Sequence, residues 1–340
     1  MTHERKDKTP VGIVGFRGYS GAEAIKILAH HPNVEPVLLE HRESEDRPVP
    51  IGSGGPRRIP NTCDAVRAAG IEAVLLATPA DAAMELAPPF LEIGVKVIDL
   101  SAAFRLGTVE NYKRWYKEEH TQPALLAEAV YGLPEFCRSR IPGARLIANP
   151  GCYPTAANLA IRPLIEAGVI ERESGIVCDG KSGVSGAGRK PTLKTSFCEV
   201  TDNFSAYAIL DHRHTPEILR ISGIEEGELS FTAQLIPIER GILETIYFRT
   251  KDVRDAGELL EIYKKRYDGE PFVRLYAPGQ IPDLHGVNHT NFCDIGIKYD
   301  PQTRRAVVVA AIDNLGKGAA GQAIQNLNLA FGFGETTGLL

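Results

Sequence analysis

"VGIVGFRGYSGAEAIKILAHHP", residues 11–32, decides the fold. An apolar run from Val11 to Val14 meets three glycines, Gly15, Gly18 and Gly21, and then Ala22, Ile25, Leu28 and Ala29 recur at helical spacing. That succession reads as strand, tight turn and helix. Glycines in such a turn let the backbone close sharply and let a pyrophosphate approach the free amides at the helix start. Glycine-rich turns are common, so the pattern gains meaning from its place at the first strand–helix junction of an alternating chain. His30 and His31 follow and are read as surface positions of that first helix.

Working outward, "VEPVLLE" (34–40), "AVLLATP" (73–79), "VKVIDLS" (95–101) and "RLIAN" (145–149) read as further strands, with an Ala/Leu-rich helix running to Leu91. Strands alternating with helices imply a doubly wound parallel sheet. Beyond Cys152 the texture changes to β-branched, alternating runs: "GIVCDGKSGVSGAG" (175–188), "ELSFTAQLIPIERGILETIYFRT" (228–250) and "DIGIKYDPQTRRAVVVAAIDN" (294–314). These predict a mostly antiparallel sheet. The expected fold class is α/β: a Rossmann-type doubly wound parallel sheet plus an α+β second domain. Residues 1–150 form the first domain, completed by a C-terminal helix over 317–340, and residues 151–316 form the second.

At 340 residues, with 43% hydrophobic and 24% charged, the chain has material for two ordinary cores. A net charge of −5 argues against a nucleic-acid or anionic-membrane surface. No run of about 18 apolar residues suggests a membrane span, and the polar start "MTHERKDKTP" carries no apolar leader. Cys63, Cys137, Cys152, Cys178, Cys198 and Cys293 are scattered, without a C-x-x-C pair. Scattered thiols predict a reduced, cytoplasmic protein without disulfides or a zinc knuckle.

One cysteine stands out. "ANPGCYPT" (148–155) wedges Cys152 between Pro150 and Pro154, beside Gly151. Pro150 disfavours a helical Asn149, Gly151 permits a sharp turn, and Pro154 is tolerated in a first helical turn. Cys152 is therefore expected at a helix N-terminus, where free amides and the helix dipole favour a thiolate nucleophile. The alternative is a small buried hydrophobe in a stiff turn. A nucleophile needs an acid/base partner, and "DHRHTPEI" (211–218) is the densest histidine cluster. Thr215 reads as an N-cap, which leaves His212 and His214 in the loop entering a helix. H-x-H with Glu217 also has the form of half a metal site, but no further ligand cluster accompanies it.

The end of the second strand discriminates nicotinamide cofactors. Glu40, His41 and Arg42 all stand near the deciding position. Arg42 favours a 2′-phosphate and hence NADP, whereas Glu40 keeps NAD open.

The motifs "GFRGYSG", "VIDLSAAFRL", "VYGLPE", "ANPGCYPT", "SGVSGAGRK", "HRHTPEI", "IPIERGIL" and "DNLGKGAAGQAIQN" stand in this order. In that order the chain resembles the N-acetyl-γ-glutamyl-phosphate reductase family, relatives of the aspartate-semialdehyde dehydrogenases, from about residue 11 to the end. The resemblance implies NADPH-dependent reduction of an acyl phosphate to a semialdehyde in arginine synthesis, through a Cys152 thioester with His212 as acid/base. Other residues follow from the same likeness. Ser101, Arg105, Asn149, His214, Glu217, Arg189 and Arg240 fall to the substrate. Gly15, Gly18, Tyr19, Ser20, Gly21, Thr78, Pro79, Ser182, Gly183, Gly186 and Asn314 fall to the cofactor, and Arg17 and Arg42 join them as cations able to reach a cofactor phosphate. No metal is implied, and a homodimer or homotetramer built on the second-domain sheet is expected. Phe16 and Arg17 depart from the small residues usual there. A lysine-branch reductase of carrier-bound α-aminoadipyl phosphate would use the same catalytic motifs, so the substrate tail stays open.

Overall fold

The computed structural model describes residues 8–40 and 55–340, and the chain divides into two compact units. The first unit holds the N-terminal part to Thr108, His120–Asn149 and Ala323–Leu340; the second holds Val109–Glu119 and Pro150–Gln322.

In the first unit, β1 (Thr9–Val14), β2 (Val34–Glu40), β3 (Arg57–Pro60), β4 (Ala73–Leu76), β5 (Lys96–Asp99), β6 (Val130–Tyr131) and β7 (Leu146–Ala148) form one sheet in the order β3-β2-β1-β4-β5-β7-β6. Every neighbouring pair is parallel. The central strand β4 is buried throughout, as a sheet covered on both faces requires. Chain order reverses between β1 and β4, so a crevice opens at their carboxyl ends. Gly15 leaves β1 there beside Ala77, whose amide donates to the Val14 carbonyl.

His31 is not a surface residue. The first helix ends at Ala29, and His31 is fully buried beyond it. The Asn33 amide donates to its Nδ1 at 3.2 Å, so its Nε2 carries the proton donated to Asn328 at 2.9 Å. Helical spacing could not reveal this, because the partner lies 297 residues away.

The second unit carries β8 (Ile176–Ser182), β9 (Ser205–Tyr207), β10 (Leu229–Leu235), β11 (Ile242–Arg249), β12 (Val273–Leu275), β13 (Cys293–Asp300) and β14 (Arg305–Ile312). Their order is β12-β13-β14-β11-β8-β10-β9, with β8–β10 and β12–β13 parallel and the other pairs antiparallel. Burial alternates strictly along β8 and β11, the signature of a sheet with one covered face. The helices Cys152–Glu166 and Ala256–Tyr267 pack on it. Tyr263 and Tyr267 tie those helices together by donating to the Ala160 and Leu159 carbonyls.

The tail is not one helix over 317–340. A π-helical turn, Gly316–Ala320, precedes the helix Gly321–Ala330. Gly332, at φ 69°, ends the helical path. The chain joins the first unit only from Ala323, because the π turn is bound into the second unit around Cys152.

Candidate active site

The first-unit turn is built as its glycines predict. Gly15 sits at φ 77°, and a Cβ there would lie 2.1 Å from the Ala77 carbonyl oxygen. A Cβ at Gly21 would lie 2.5 Å from the Gly15 oxygen, so the helix start could not approach the turn with any side chain there. Gly18 caps the helix Tyr19–Ala29 without a side-chain hydrogen bond, which leaves its first amides for an anion. Tyr19, 42% exposed, and the half-buried Ser20 open that helix.

A cavity of about 260 Å³ opens over this turn, lined by Gly15, Arg17, Gly18, Leu39, Thr78 and Pro79 among others. The Thr78 hydroxyl is buried and has no protein partner. An open glycine cradle with an unused hydroxyl fits a dinucleotide. Arg17 instead engages Glu40, its Nη2 lying 3.3 and 3.2 Å from the two carboxylate oxygens. Arg42 and His41 lie outside the described residues.

Further along the same carboxyl edge stand Asp99, Ser101, Arg105 and Asn149. Asp99 accepts from the Ser101 amide at 2.9 Å and from its hydroxyl at 2.8 Å. Burial raises the Asp99 carboxyl to about 6, against the lowering pull of the Ser101 bonds and of Arg105. Arg105 is 6% exposed, so it is no surface arginine, and its Nη2 donates to the Leu100 carbonyl at 2.8 Å. The Asn149 amide donates to the Asp99 carbonyl at 2.8 Å, and its side-chain oxygen accepts from Asn326 at 3.1 Å.

In the second unit, Cys152 is the first residue of the helix Cys152–Glu166. Gly151, extended at φ −68° and ψ 155°, caps it without a side chain. Its amide donates to the Glu217 carboxylate at 3.0 Å, so the fully buried Glu217 braces the turn from behind. From another side the π turn closes in: a Cβ on Gly318 would lie 2.9 Å from the Cys152 Cβ. Cys152 is thus fixed between a carboxylate-braced glycine and a glycine that leaves it room.

Cys152 lines a cavity of about 390 Å³ together with His212, His214, Tyr153 and Tyr207. His212 is 6% exposed, in edge contact with Tyr153 at 5.5 Å and Phe231 at 5.3 Å. Burial, then the nearby Arg213 charge, lowers it to about 4, so the ring is neutral near neutral pH. The His214 amide donates to its Nδ1 at 3.1 Å. Because a backbone amide can only donate, the neutral ring carries its proton on Nε2. His214, rather than Thr215, is the N-cap of the helix Thr215–Ser222, and its ring lies 4.9 Å from His212. Tyr153 donates to the Gln234 carbonyl at 3.1 Å, and burial raises its phenol far above its ordinary range. Among the described residues no group of three or more His, Cys, Asp or Glu gathers as for a metal ion.

The remaining candidates divide. Ser182 and Gly186 line the cysteine cavity. Gly183 packs against backbone, a Cβ there lying 2.7 Å from the Arg240 nitrogen. Asn314 accepts from the Gly241 amide at 2.7 Å and donates to the Ser185 hydroxyl at 2.9 Å, which fixes the loop. Arg240 is buried against Asp313, with 3.0 Å between Nη2 and Oδ2. Neither it nor the exposed Arg189 is among the lining residues. The cavity instead brings in Lys194 and Arg213, together with Thr192, Ser205 and Tyr207. Tyr207 and Ser205 reach it from β9, whose three residues are too few to give a period-2 signal.

Two family models divide the chain in sequence: "Semialdehyde dehydrogenase, NAD binding domain" over residues 10–144 and "Semialdehyde dehydrogenase, dimerisation domain" over residues 152–314. Among solved structures, aspartate semialdehyde dehydrogenase II of Vibrio cholerae, complexed with ASA, matches with a TM-score of 0.72 at 18% identity, covering 96% of this chain and 99% of that one. The Candida albicans aspartate semialdehyde dehydrogenase with NADP gives 0.66 at 17% identity, over 95% and 98%. At such identities the likeness is one of fold. Relatives by sequence are nearer. N-acetyl-gamma-glutamyl-phosphate reductases of Symbiobacterium thermophilum and Desulforudis audaxviator are 48% and 47% identical, each alignment covering 97% of both chains. The enzyme of that name from Geobacter metallireducens is 44% identical over the same shares. With that identity along nearly its whole length, the chain belongs to the N-acetyl-gamma-glutamyl-phosphate reductase family.

Proposed function

We propose that the chain reduces N-acetylglutamyl 5-phosphate with NADPH, giving N-acetylglutamate 5-semialdehyde and phosphate, the reaction of arginine synthesis for which its relatives are named. The observation that carries this reading is the single cavity holding Cys152, at a helix start, together with His212 and His214.

The glycine turn, with Gly15, Gly18, Gly21 and Thr78, would hold NADPH, which when bound would supply a hydride. The Cys152 thiolate adds to the acyl carbonyl. The carbon–oxygen bond to phosphate breaks, phosphate leaves taking up a proton, and a thioester remains on Cys152. That hydride would convert the thioester carbon into a hemithioacetal oxyanion held on Cys152. As the carbonyl re-forms, the carbon–sulfur bond breaks and releases aldehyde and thiolate.

His212 enters as a donor. Its Nδ1 is engaged by the His214 amide, so its Nε2–H is free to donate a hydrogen bond to the carbonyl oxygen or the departing phosphate, the proton staying on the ring. Glu217, behind the turn, holds Gly151 rather than substrate. Ser101 and Arg105 are proposed for the phosphate, with Asp99 orienting Ser101. For the substrate carboxylate, Lys194 and Arg213 are better placed than Arg189 and Arg240, because they line the cavity.

The chain is further read as a cytoplasmic homo-oligomer. Among the described residues no helix is long and apolar enough to cross a membrane. The cross-strand neighbours Val177 and Tyr247 are 45% and 44% exposed on the uncovered face of the second-unit sheet. Such a pair suits a second copy of a domain whose family model is named for dimerisation.

The direct test runs the reaction backward, with N-acetylglutamate semialdehyde, phosphate and NADP or NAD, following absorbance of the reduced cofactor. Phosphate-dependent turnover with NADP is expected. No turnover with either cofactor, where a control enzyme works, refutes the reading. Light scattering of the wild type and of Tyr247→Glu tests the assembly; a monomeric wild type would overturn it.

A further inference from the structure

We propose that Arg17 and Arg58 bind the adenosine 2′-phosphate of NADP, and that Glu40 holds their guanidinium groups in place until that phosphate displaces it. Glu40 is the last residue of β2, where an acidic side chain in a dinucleotide fold accepts hydrogen bonds from the ribose hydroxyls of NAD. Here its carboxylate is taken. Arg17 approaches both oxygens, and Arg58 Nη1 stands 3.7 Å from Oε1.

The sheet explains why two arginines arrive at one carboxylate. Arg58 pairs with Leu38 in the parallel β2–β3 register, and Leu38 and Glu40, two apart, face the same side. Arg17 comes from the turn after β1, the strand on the other side of β2. Phe16 completes the arrangement. Its ring is buried, and the Arg17 and Arg58 guanidinium carbons lie over it at 4.8 and 5.8 Å from the centroid. The Phe16–Arg17 pair, which departs from the small residues expected in this turn, thereby supplies both a platform and a cation.

The charges favour phosphate. Two guanidinium groups meet one carboxylate beside the cavity that Arg17, Gly15 and Gly18 line. A phosphate dianion offers three oxygens to two planar forks, and arginine matches that geometry better than it matches a shared carboxylate. All three side chains are partly exposed, at 40%, 40% and 29% for Arg17, Arg58 and Glu40, so they can exchange partners without opening the core.

The inference rests on NADP as cofactor and not on the reductase chemistry, so its test is binding alone. Calorimetry on the whole protein compares 2′,5′-ADP with 5′-AMP, which differ only in the 2′-phosphate. The wild type is expected to bind 2′,5′-ADP at least about tenfold more tightly. In the Arg17→Gln/Arg58→Gln double variant that ratio is expected to fall to within about threefold. Glu40→Gln, which removes the competing carboxylate, is expected to tighten 2′,5′-ADP severalfold. A wild type without preference overturns the cofactor reading and the proposal with it. A preference that survives in the double variant overturns the proposal alone and moves the 2′-phosphate site elsewhere.

Discussion

Asp99, at the end of β5 in the first unit, and His212, in the cysteine cavity of the second, are both driven toward their neutral forms by burial, yet they answer acid in opposite senses. Asp99 is an acid raised to about 6, and His212 is a base lowered to about 4. The stability that neutral His212 contributes is complete above its unfolded value of 6.5 and is lost as pH falls through about 4. For Asp99 the stabilising form is the protonated one, complete below 3.8 and lost as pH rises through about 6. Each shift corresponds to about 3 kcal/mol, so between pH 4 and 6 the two slopes largely cancel. The lesson is about use. In the first unit, burial sets a carboxylate behind the groups proposed to hold phosphate. In the second it keeps neutral a ring that lines the same cavity as the thiol.

The sharpest way to break this contrast is Cys152→Ser. If the second unit holds the chemistry and the first the cofactor, turnover falls by about a thousandfold or more. Calorimetric affinity for 2′,5′-ADP stays within about twofold of wild type. Substantial activity in this variant would move the nucleophile to another thiol, and a parallel loss of nucleotide binding would end the division of labour.

His212→Asn comes next. Loss of the Nε2–H donor is expected to lower kcat by about a hundredfold. Stability separates this role from simple packing. Relative to wild type, the variant's deficit in urea unfolding should shrink by about 3 kcal/mol between pH 6.5 and 4, because it carries no ring to protonate. A deficit constant across that range would mean that the ring is not held neutral by burial. Gly318→Ala is a smaller perturbation of the same cavity. Its Cβ would press on the Cys152 Cβ, and kcat is expected to fall about tenfold from misplacement of the sulfur. Unchanged kcat would show that the π turn yields freely.

Much of both regions was legible in the residues. Gly15, Gly18 and Gly21 announced the turn, and at Gly15 and Gly21 only glycine tolerates the backbone approach seen there; Gly151–Cys152 announced the helix start through Pro150 and Pro154. What periodicity could not disclose were pairings made across long stretches of chain. Glu217 on the Gly151 amide, Gly318 against Cys152, Asn328 on His31 and Arg58 beside Glu40 each depend on tertiary approach. Arg240 shows the converse. The family likeness gave it to the substrate, but in three dimensions its guanidinium meets the buried Asp313 and His289.

The smallest expected effect belongs to Asp99→Asn, and it is the most discriminating because its sign is unusual. Asparagine keeps an acceptor for the Ser101 amide and removes a carboxylate that burial disfavours. Near pH 7, where Asp99 is ionised in the folded protein, the variant should therefore gain stability relative to wild type. Near pH 4, where Asp99 is already protonated, the gain should vanish, a swing of about 3 kcal/mol. Turnover should move only about threefold, because Ser101 loses one of two bonds and Arg105 keeps its hold on the Leu100 carbonyl. The swing is read from urea midpoints at the two pH values. A stability difference that is the same at both pH values would mean that the Ser101 hydrogen bonds outweigh the cost of burying the charge. The opposing slopes of the two units would then collapse into one.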